Sequence, residues 1–278
     1  MSALRYAYNT NGCAHHRLDE ALELMARSGY AGVALTLDHQ HLDPFAPDWQ
    51  AQARALRRRL DDLGFGSVVE TGARFLLDPS AKHEPTFVSP EPEGRARRLA
   101  FLQRAIDVAA ILGSEAVSFW AGVPRPGVDR GEARGRLLDG LHAVLAYAQA
   151  AGVVAAFEPE PGMLIETAAA WEALGVPGLA LALDTGHCLV TGDVDPAEAV
   201  RRYAGRLGTV AVEDMRRGEH LHLPFGTGDM DMPSVLDALD AIGFDKLVCV
   251  ELSRESPRAD RAIPESIAWL RSCRETQT

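Results

Sequence analysis

The sequence of 278 residues predicts an α/β fold, a (β/α)8 TIM barrel. Three observations support this prediction. Short apolar runs alternate eight times with longer amphipathic segments, glycines follow most of those segments, and acidic residues end several of the runs. Regular alternation of strands and helices implies a parallel sheet with right-handed crossovers. Eight such units in a chain of this length favour closure of the sheet into a barrel.

Eight short apolar runs are predicted to be strands. A parallel strand is buried on both faces, so its sequence is a nearly continuous apolar run rather than an alternating one. The predicted strands are Arg5–Asn9, Gly32–Leu37, Ser67–Thr71, Ala116–Trp120, Val153–Glu158, Leu179–Asp184, Gly208–Glu213 and Leu247–Leu252.

The segments between the strands have apolar residues at helical spacing. Six of them stop just before a glycine, which supplies the left-handed residue favoured after a helix. These six are Leu18–Ser28, Trp49–Leu63, Arg95–Leu112, Glu132–Ala151, Ala168–Leu174 and Val235–Ile242. Two further helices are predicted over Pro196–Tyr203, with Asp195 as N-cap, and over Ile263–Cys273.

The main alternative fold is an open, doubly wound sheet, which usually has fewer strands and often a glycine-rich phosphate loop after the first one. Here the first strand continues into Tyr8-Asn9-Thr10-Asn11-Gly12, which is not the GxGxxG motif. We therefore favour a single barrel domain over residues 1–278. The longest irregular segment, Asp78–Gly94, either lies over the catalytic face of the barrel or is a surface excursion.

Composition narrows the class of partner. The net charge of −11 argues against nucleic acid, because binding to phosphates requires clustered Lys and Arg. The cysteines form no CxxC pair, which argues against a disulfide framework or a thiolate zinc site. Met1–Asn11 lacks the apolar run of a signal peptide, and no stretch of 18 apolar residues occurs. We therefore expect a cytoplasmic enzyme that acts on a small molecule, with no membrane partner.

Acidic residues at the ends of three predicted strands are the strongest functional signal. Glu158 ends the fifth strand, Asp184 ends the sixth, and Glu251 lies at the end of the eighth. Because side chains alternate along a strand, each acid shares a face with the alanine or cysteine two positions before it. Such small residues suit the crowded interior of a barrel. The three carboxylates are therefore predicted to converge on one central point.

Three converging carboxylates repel one another unless a cation lies among them. An oxygen-rich site with one or two imidazoles suits Mn²⁺, Mg²⁺ or Co²⁺, and Zn²⁺ also accepts such ligands. The alternative is that each acid is a helix N-cap or an ion-pair partner within its own loop. Because all three acidic side chains are predicted to point to the barrel interior, we favour a divalent metal as cofactor.

Histidines follow these acids in the sequence. His187 comes three residues after Asp184, within reach of the same cavity. His220 and His222 follow the seventh strand in a predicted loop, and an HxH pair in an extended segment projects to one side, a common spacing of metal ligands. The nearby Gly226-Thr227-Gly228 favours a backbone that approaches closely.

These motifs resemble those of the xylose-isomerase-like superfamily of sugar isomerases and epimerases, which also includes inosose-processing enzymes and apurinic-site endonucleases. The resemblance is concentrated in residues 153–255. In the family the fifth and eighth strands each end in a metal-binding Glu, matched by Glu158 and Glu251. The sixth strand ends in Asp-x-x-His, matched by Asp184 and His187. The seventh usually reads His-x-x-Asp and is followed by a Gly-x-Gly-x-x-Asp segment.

The seventh strand departs from the family pattern. The histidine that usually binds the metal is Ala211 here, within Ala211-Val212-Glu213-Asp214. Either His220 or His222 supplies the missing ligand, or the site is altered or inactive. The endonuclease branch uses a histidine in the loop position that His222 matches. The metal ligands that the resemblance implies are therefore Glu158, Asp184, His222 and Glu251.

The resemblance implies an isomerase or epimerase that moves a proton through an enediolate of a sugar or sugar-like keto compound. Glu158 and Glu251 are then the acid/base pair. Arg74, with Lys82 and His83, is either an anion-binding group or a solvated surface charge. The residues expected to bind substrate are His187, His220, Glu70, Arg74, Trp120 and Asn9.

Other functions remain open at this stage. A lyase or dehydratase acting on a keto-sugar or keto-inositol starts with the same proton abstraction. A catalytically lapsed barrel that binds a metabolite is supported only by Ala211. Abasic-site cleavage in this superfamily requires histidines from the third and fourth strands. Here those strands end in Glu70-Thr71-Gly72 and Ser118-Phe119-Trp120, without a histidine, which argues against nuclease activity. Barrels of this kind often self-associate, so a homo-oligomer is one expected state.

Overall fold

The computed structural model describes residues 4–275. Its centre is a closed barrel of eight parallel strands, which confirms the predicted (β/α)8 fold. The strands follow one another around the barrel in chain order, and the last closes against the first. The barrel strands are β1 (Arg5–Asn9), β2 (Gly32–Thr36), β3 (Gly66–Glu70), β4 (Val117–Phe119), β5 (Ala155–Phe157), β6 (Ala180–Asp184), β7 (Leu207–Val212) and β10 (Leu247–Val250).

Helices surround the barrel. They are α1 (Leu18–Ser28), α2 (Trp49–Leu63), α3 (Pro92–Leu112), α4 (Arg130–Ala151), α5 (Ala168–Glu172), α6 (Thr185–Thr191), α7 (Pro196–Arg202), α8 (Met232–Ala241) and α9 (Ala259–Glu275). The first four end at left-handed glycines, as predicted. None of the helices within residues 4–275 has the length and apolar character required to cross a membrane.

The observed elements differ from the predicted ones mainly at their boundaries. Helix α4 begins at Arg130 because the Asp129 side chain accepts the amide hydrogen of Glu132 (3.0 Å) as an N-cap. Helix α3 begins at Pro92, a residue that is favoured in the first turn. Strands β4 and β5 are shorter than predicted, because their ladder extends only over Val117–Phe119.

Two elements were not predicted, and both lie at the carboxyl end of the barrel. Helix α6 starts directly at the end of β6, because the Asp184 side chain accepts the amide hydrogen of His187 (3.1 Å). After β7 the chain forms an antiparallel hairpin of β8 (Asp214–Arg216) and β9 (Glu219–Leu223). The segment that carries His220 and His222, expected to be a loop, is therefore a strand.

Small residues fill the interior of the barrel beneath these elements. Ala156 and Ala182 form one buried interior cluster, and Cys249 belongs to another. Their neighbours Phe157 and Leu183 instead pack in the main core between the barrel and its helices. This alternation confirms the predicted parity, so the side chains two residues further along each strand also face inward.

Candidate active site

A cavity of about 570 Å³ opens at the carboxyl ends of the barrel strands. Most of the residues that the sequence predicted for the site contribute to its wall. Asp184 is the exception: it is buried, 3% exposed, and contacts the cavity lining through His187. The predicted residues that line the cavity are Asn9, Glu70, Arg74, Trp120, Glu158, His187, His220, His222 and Glu251.

The two predicted catalytic glutamates are fixed through their backbones to neighbouring strands. The amide of Glu158 donates to the carbonyl of Phe119 (2.8 Å), and the amide of Glu251 donates to that of Val212 (3.1 Å). These bonds continue the barrel ladder one residue beyond β5 and β10. The Asn11 side-chain amide also donates to Oε1 of Glu251 (2.7 Å). Both carboxylates are thus held in the cavity by rigid elements.

Carboxylates are crowded in this cavity. Burial, together with the charges of Glu160 and Glu251, raises the pKa of Glu158 well above its usual range. Burial and Glu251 raise the pKa of Glu70 to about 8. Burial also raises the pKa of Glu160 to about 7, although His187 opposes that rise. Without a bound cation, the site therefore retains protons near neutral pH.

His187 connects the acids with the hairpin. Its Nδ1 faces the carbonyl of Pro159 (3.0 Å), while its Nε2 is 3.4 Å from Oδ2 of Asp184 and 3.5 Å from Oε2 of Glu160. Burial opposes protonation of His187, but the two carboxylates outweigh it and raise the pKa of His187. The Nε2 atom also lies 3.1 Å from Nε2 of His220. This geometry fits either a charged imidazolium among acids or an imidazole that shares a cation with them.

His220 and His222 reach the cavity from β9. Their side chains project to the same side of the strand, as the HxH spacing predicts, with ring centroids 5.6 Å apart. The rings of His187 and His220 meet edge to face at 4.8 Å. Burial and the neighbouring His187 lower the pKa of His220 to about 4. His220 is therefore neutral near pH 7, the form in which an imidazole binds a metal or accepts a hydrogen bond.

Asp214, the acid of the family's strand-seven motif, holds the hairpin in place. Its Oδ2 accepts hydrogen bonds from the amides of Gly226 (2.8 Å), Thr227 (3.1 Å) and Gly228 (2.9 Å). Its Oδ1 accepts one from the amide of Met230 (3.0 Å). A Cβ atom on Gly228 would collide with Oδ1 of Asp214, so only glycine allows this close approach. Asp214 therefore has a structural role and fixes the base of the strand that presents the two histidines.

Three groups of residues among 4–275 have the composition and spacing of a metal site. In each, one ligand atom per residue lies within 4.8 Å of the others. The groups are Glu160–His187–His220, Glu158–Asp184–His187 and Asp184–Glu213–His222. Three of the four predicted ligands occur in these groups: Glu158 with Asp184 in one, and Asp184 with His222 in another. The fourth, Glu251, lines the same cavity but belongs to none of the groups found within the described residues.

The donor atoms of these groups fit a bound cation. Nδ1 of His222 is buried without a hydrogen-bond partner within the part of the chain that the structure describes, and Oδ2 of Asp184 is buried with the 3.4 Å contact to Nε2 of His187 but no regular hydrogen bond there. Buried polar atoms are normally paired, so each unpaired atom requires a partner. A mixture of carboxylate oxygen and imidazole nitrogen suits a divalent transition metal. The residues present therefore fit the metal that the sequence predicted.

The remaining predicted residues shape the wall of the cavity. The Asn9 side-chain oxygen accepts hydrogen bonds from the Asn11 amide (3.0 Å) and the Thr36 hydroxyl (2.8 Å), so it holds the turn after β1. Trp120 is 6% exposed, and the guanidinium of Arg98 lies 4.4 Å from its ring centroid. The fully buried Arg98 was not predicted, because a single arginine within a helical pattern gives no sequence signal.

Basic side chains line part of the cavity wall. They are Arg74, Lys82, His83 and Arg254, and burial lowers the pKa of His83. Arg74 donates to the carbonyl of Asn11 (2.9 Å). Arg74 has a left-handed backbone (φ 40°), which directs the chain of the predicted irregular segment back over the cavity. Lys82 and His83 line the cavity, so of the two alternatives left open by the sequence the structure favours a segment that lies over the carboxyl ends of the strands.

Sequence reasoning missed two acids of the site. Glu160 lies two residues after Glu158, on the same side of the chain, within Glu158-Pro159-Glu160-Pro161. Glu213 lies two residues after Ala211 and shares its parity. The alternation rule that identified the strand-end acids also applies to these two positions. Glu160 lies two residues beyond the predicted end of the fifth strand, and Glu213 is the last residue of the predicted seventh strand.

Comparisons with known proteins identify relatives that match most of the chain. The chain is 24% identical to the 2-oxo-tetronate isomerase of Cupriavidus necator over 269 residues, covering 92% of this chain and 93% of that enzyme. It is 28% identical to the L-ribulose 3-epimerase of Mesorhizobium japonicum over 236 residues, covering 79% and 71%. A crystal structure of the IOLI protein with a bound zinc atom superposes with a TM-score of 0.76 at 18% identity, covering 97% and 98%.

The family assignment rests on a match over nearly the whole chain. Residues 22–273 match the family described as xylose isomerase-like TIM barrel. The match includes the strands that carry Glu158, Asp184 and Glu251. It therefore agrees with the resemblance that those motifs indicated. The chain belongs to the xylose isomerase-like TIM barrel family.

Proposed function

We propose that the protein is a sugar isomerase or epimerase that transfers a proton between positions next to a carbonyl group, with a divalent metal as cofactor. The observation that carries the proposal is the placement of Glu158 and Glu251 in one cavity, on strands separated by β6 and β7. Two carboxylates around a substrate can remove and return a proton on carbon. The isomerase and epimerase activities of the two relatives support this reading.

The environments of the two glutamates suggest their roles. Glu251 accepts a hydrogen bond from Asn11 (2.7 Å), an interaction suited to a carboxylate that acts as base. Burial and nearby charges raise the pKa of Glu158, which favours its protonated form and a role as acid. In one direction of the reaction, Glu251 removes the carbon-bound proton and Glu158 delivers one to the enediolate. In the reverse direction the roles exchange.

The metal ligands in this proposal are Asp184 and His222, with Glu158 and Glu251 facing the same space. When bound, the cation supplies positive charge to the substrate carbonyl and its neighbouring hydroxyl, which lowers the cost of the enediolate. The mixed ligand set favours Zn²⁺, Mn²⁺ or Co²⁺ over Mg²⁺, and the zinc in the IOLI structure agrees with this choice. His187 and His220 then remain available to contact substrate hydroxyls.

Proton transfer can be tested directly by NMR in D2O. The metal-supplemented enzyme is incubated with a panel of keto- and aldo-sugars and their acids. We expect an isomer or epimer of one substrate class, with solvent deuterium at the carbon that receives a proton from the enzyme. A product that has lost water or been cleaved would instead identify a lyase. Absence of both product and deuterium across the panel, with metal bound, would argue for a barrel that only binds its ligand.

The cations at the cavity predict that the substrate carries an anionic group. The guanidinium of Arg74 offers paired donors that suit a carboxylate or phosphate, and Lys82 and Arg254 add positive charge. Of the two relatives, one is named for an acid anion and the other for a neutral sugar. We expect Arg74→Met to raise KM for an acidic substrate by about 10- to 100-fold, with a much smaller effect on a neutral analogue.

The matched control for Arg74→Met is Arg58→Met, which removes an exposed arginine on α2, outside the cavity. We expect its KM to equal that of the wild type. Arg74→Lys keeps the charge but loses the paired donors, so its KM should lie between the two. An equal increase in KM for acidic and neutral substrates in Arg74→Met would contradict anion recognition. It would point instead to a role in shaping the loop through the Asn11 carbonyl.

A further inference from the structure

Glu213 is a buried acid that no part of the mechanism above uses. It is the first residue after β7, and its side chain is 0% exposed. Among residues 4–275, its carboxylate oxygens accept no hydrogen bond from an N–H or hydroxyl donor, and they face the carboxyl group of Asp184. An unpaired buried carboxylate is costly, because burial removes the water that would solvate its charge. The surroundings of Glu213 must therefore accommodate a partner that compensates for that cost.

Those surroundings contain two more buried atoms that can bind a cation. Nδ1 of His222 has no hydrogen-bond partner in the described part of the chain, and Oδ2 of Asp184 accepts no regular hydrogen bond there, although Nε2 of His187 lies 3.4 Å away. One ligand atom from each of the three residues lies within 4.8 Å of the others. Asp184 and Glu213 thus present two carboxyl groups to each other, with an imidazole nitrogen beside them. Such a set is stable only if a cation or a shared proton lies between the carboxylates.

The neighbouring residues leave room for the Glu213 carboxylate. A Cβ atom on Gly186, in the first turn of α6, would collide with Oε1 of Glu213 and would lie 2.8 Å from the Met215 methyl carbon. Gly186 therefore allows the carboxylate to lie against the helix that starts at Asp184. Ala211, two residues before Glu213 on the same face, pairs in register with Asp184. The methyl group of Ala211 cannot bind a metal, whereas the carboxylate of Glu213, the next residue on that face, can.

We propose that Glu213 is a metal ligand that acts together with Asp184 and His222. Glu213 and His222 compensate for the strand-seven histidine, whose position is occupied by Ala211 in this chain. The ligand set of two carboxylates and one imidazole fits a divalent ion such as Zn²⁺, Mn²⁺ or Co²⁺. This inference deepens the proposed function and rests on its metal. It also explains how a chain without the usual histidine keeps a complete metal site. Glu213, the next inward-facing residue after Ala211, supplies one ligand, and His222 on the hairpin supplies another.

The test is titration of the metal-free protein with Co²⁺, followed by calorimetry and by the visible absorption spectrum of the bound ion. The variants are Glu213→Gln and, as matched control, Glu219→Gln, which removes the same charge from an exposed position on the same hairpin. We expect Glu213→Gln to weaken Co²⁺ binding by about 100-fold or more, since even residues that only support a ligand contribute 10- to 100-fold. Its residual complex should have a changed spectrum. Glu219→Gln should match the wild type in both measurements.

The metal-free Glu213→Gln protein should fold, because the substitution removes one of two facing carboxylates and conserves volume. Glu213→Asp provides a second variant, which keeps the charge but retracts the oxygens by one methylene, and it should show intermediate affinity. Wild-type affinity and spectrum in both variants would overturn the inference and favour a proton shared between Asp184 and Glu213. In that case the proposed metal-dependent function would still stand. If the wild type itself bound no ion, the metal and this inference would both fail.

Discussion

Replacing Glu158 or Glu251 by glutamine is expected to lower kcat by about 10²- to 10⁴-fold, because each substitution removes one of the two groups that exchange protons with the substrate carbon. Glutamine keeps the size and most hydrogen-bonding capacity of the side chain, so the cavity should stay intact. The backbone bonds of both residues to neighbouring strands do not involve the side chain and remain. Turnover of the best substrate by purified, metal-supplemented protein is the measurement.

The two variants should differ in deuterium exchange. If Glu251 removes the proton and Glu158 returns it, Glu158→Gln still exchanges the substrate proton with D2O but forms little product. Glu251→Gln, in contrast, loses both reactions. The control is Glu166→Gln, an exposed acid in the loop after β5, which should retain full activity. Near-normal turnover in either of the first two variants would show that the assigned roles are wrong.

Metal binding is expected to depend strongly on pH. Burial raises the pKa of Glu70 to about 8 and that of Glu160 to about 7, and it raises that of Glu158 well above its usual range. Protons held by these groups at pH 6 must leave before or as a cation binds. The dissociation constant should therefore fall between pH 6 and 8.5, by about tenfold per pH unit for each proton displaced. Calorimetric titration at several pH values, in buffers of different ionisation enthalpy, counts those protons.

The stability of the metal-free protein should change in the opposite direction. A carboxyl group whose folded pKa is raised binds more protons in the folded state than in the unfolded chain. Its contribution to stability is therefore complete at low pH and is lost as the pH rises through the folded value. For Glu160 and Glu70 that range ends near 7 and 8. We expect Tm of the metal-free protein to fall above pH 6, and the increase in Tm on adding metal to grow. An increase in Tm that is the same at pH 6 and 8.5 would contradict this view.

The sequence was sufficient to predict the barrel and most of its cavity. Barrel strands repeat a simple pattern, and their carboxyl ends must meet at one face, so acids such as Glu158 and Glu251 could be placed without coordinates. The inward direction of these side chains also followed from alternation. This part of the site depends on local spacing and on a fold that closes in only one way.

The rest of the site depends on contacts that no local pattern encodes. The hairpin of β8 and β9 forms because Asp214 gathers amides that lie twelve to sixteen residues later, and sequence spacing alone did not reveal that contact. Glu213 was assigned to the end of a strand, but its unpaired oxygens become visible only when Asp184 and Gly186 are placed beside it. Long-range packing, rather than propensity, determines these positions.

The four backbone amides bound by Asp214 have a consequence for how the protein captures its ligands. They order the hairpin during folding, so His220 and His222 are already in place before an ion or substrate arrives. The conformational entropy of the backbone that carries these two histidines is therefore lost at folding rather than at binding. The hairpin therefore acts as a preorganised arm that Asp214 holds in place. A histidine on such an arm can substitute for one on a barrel strand without the disadvantage of a mobile loop.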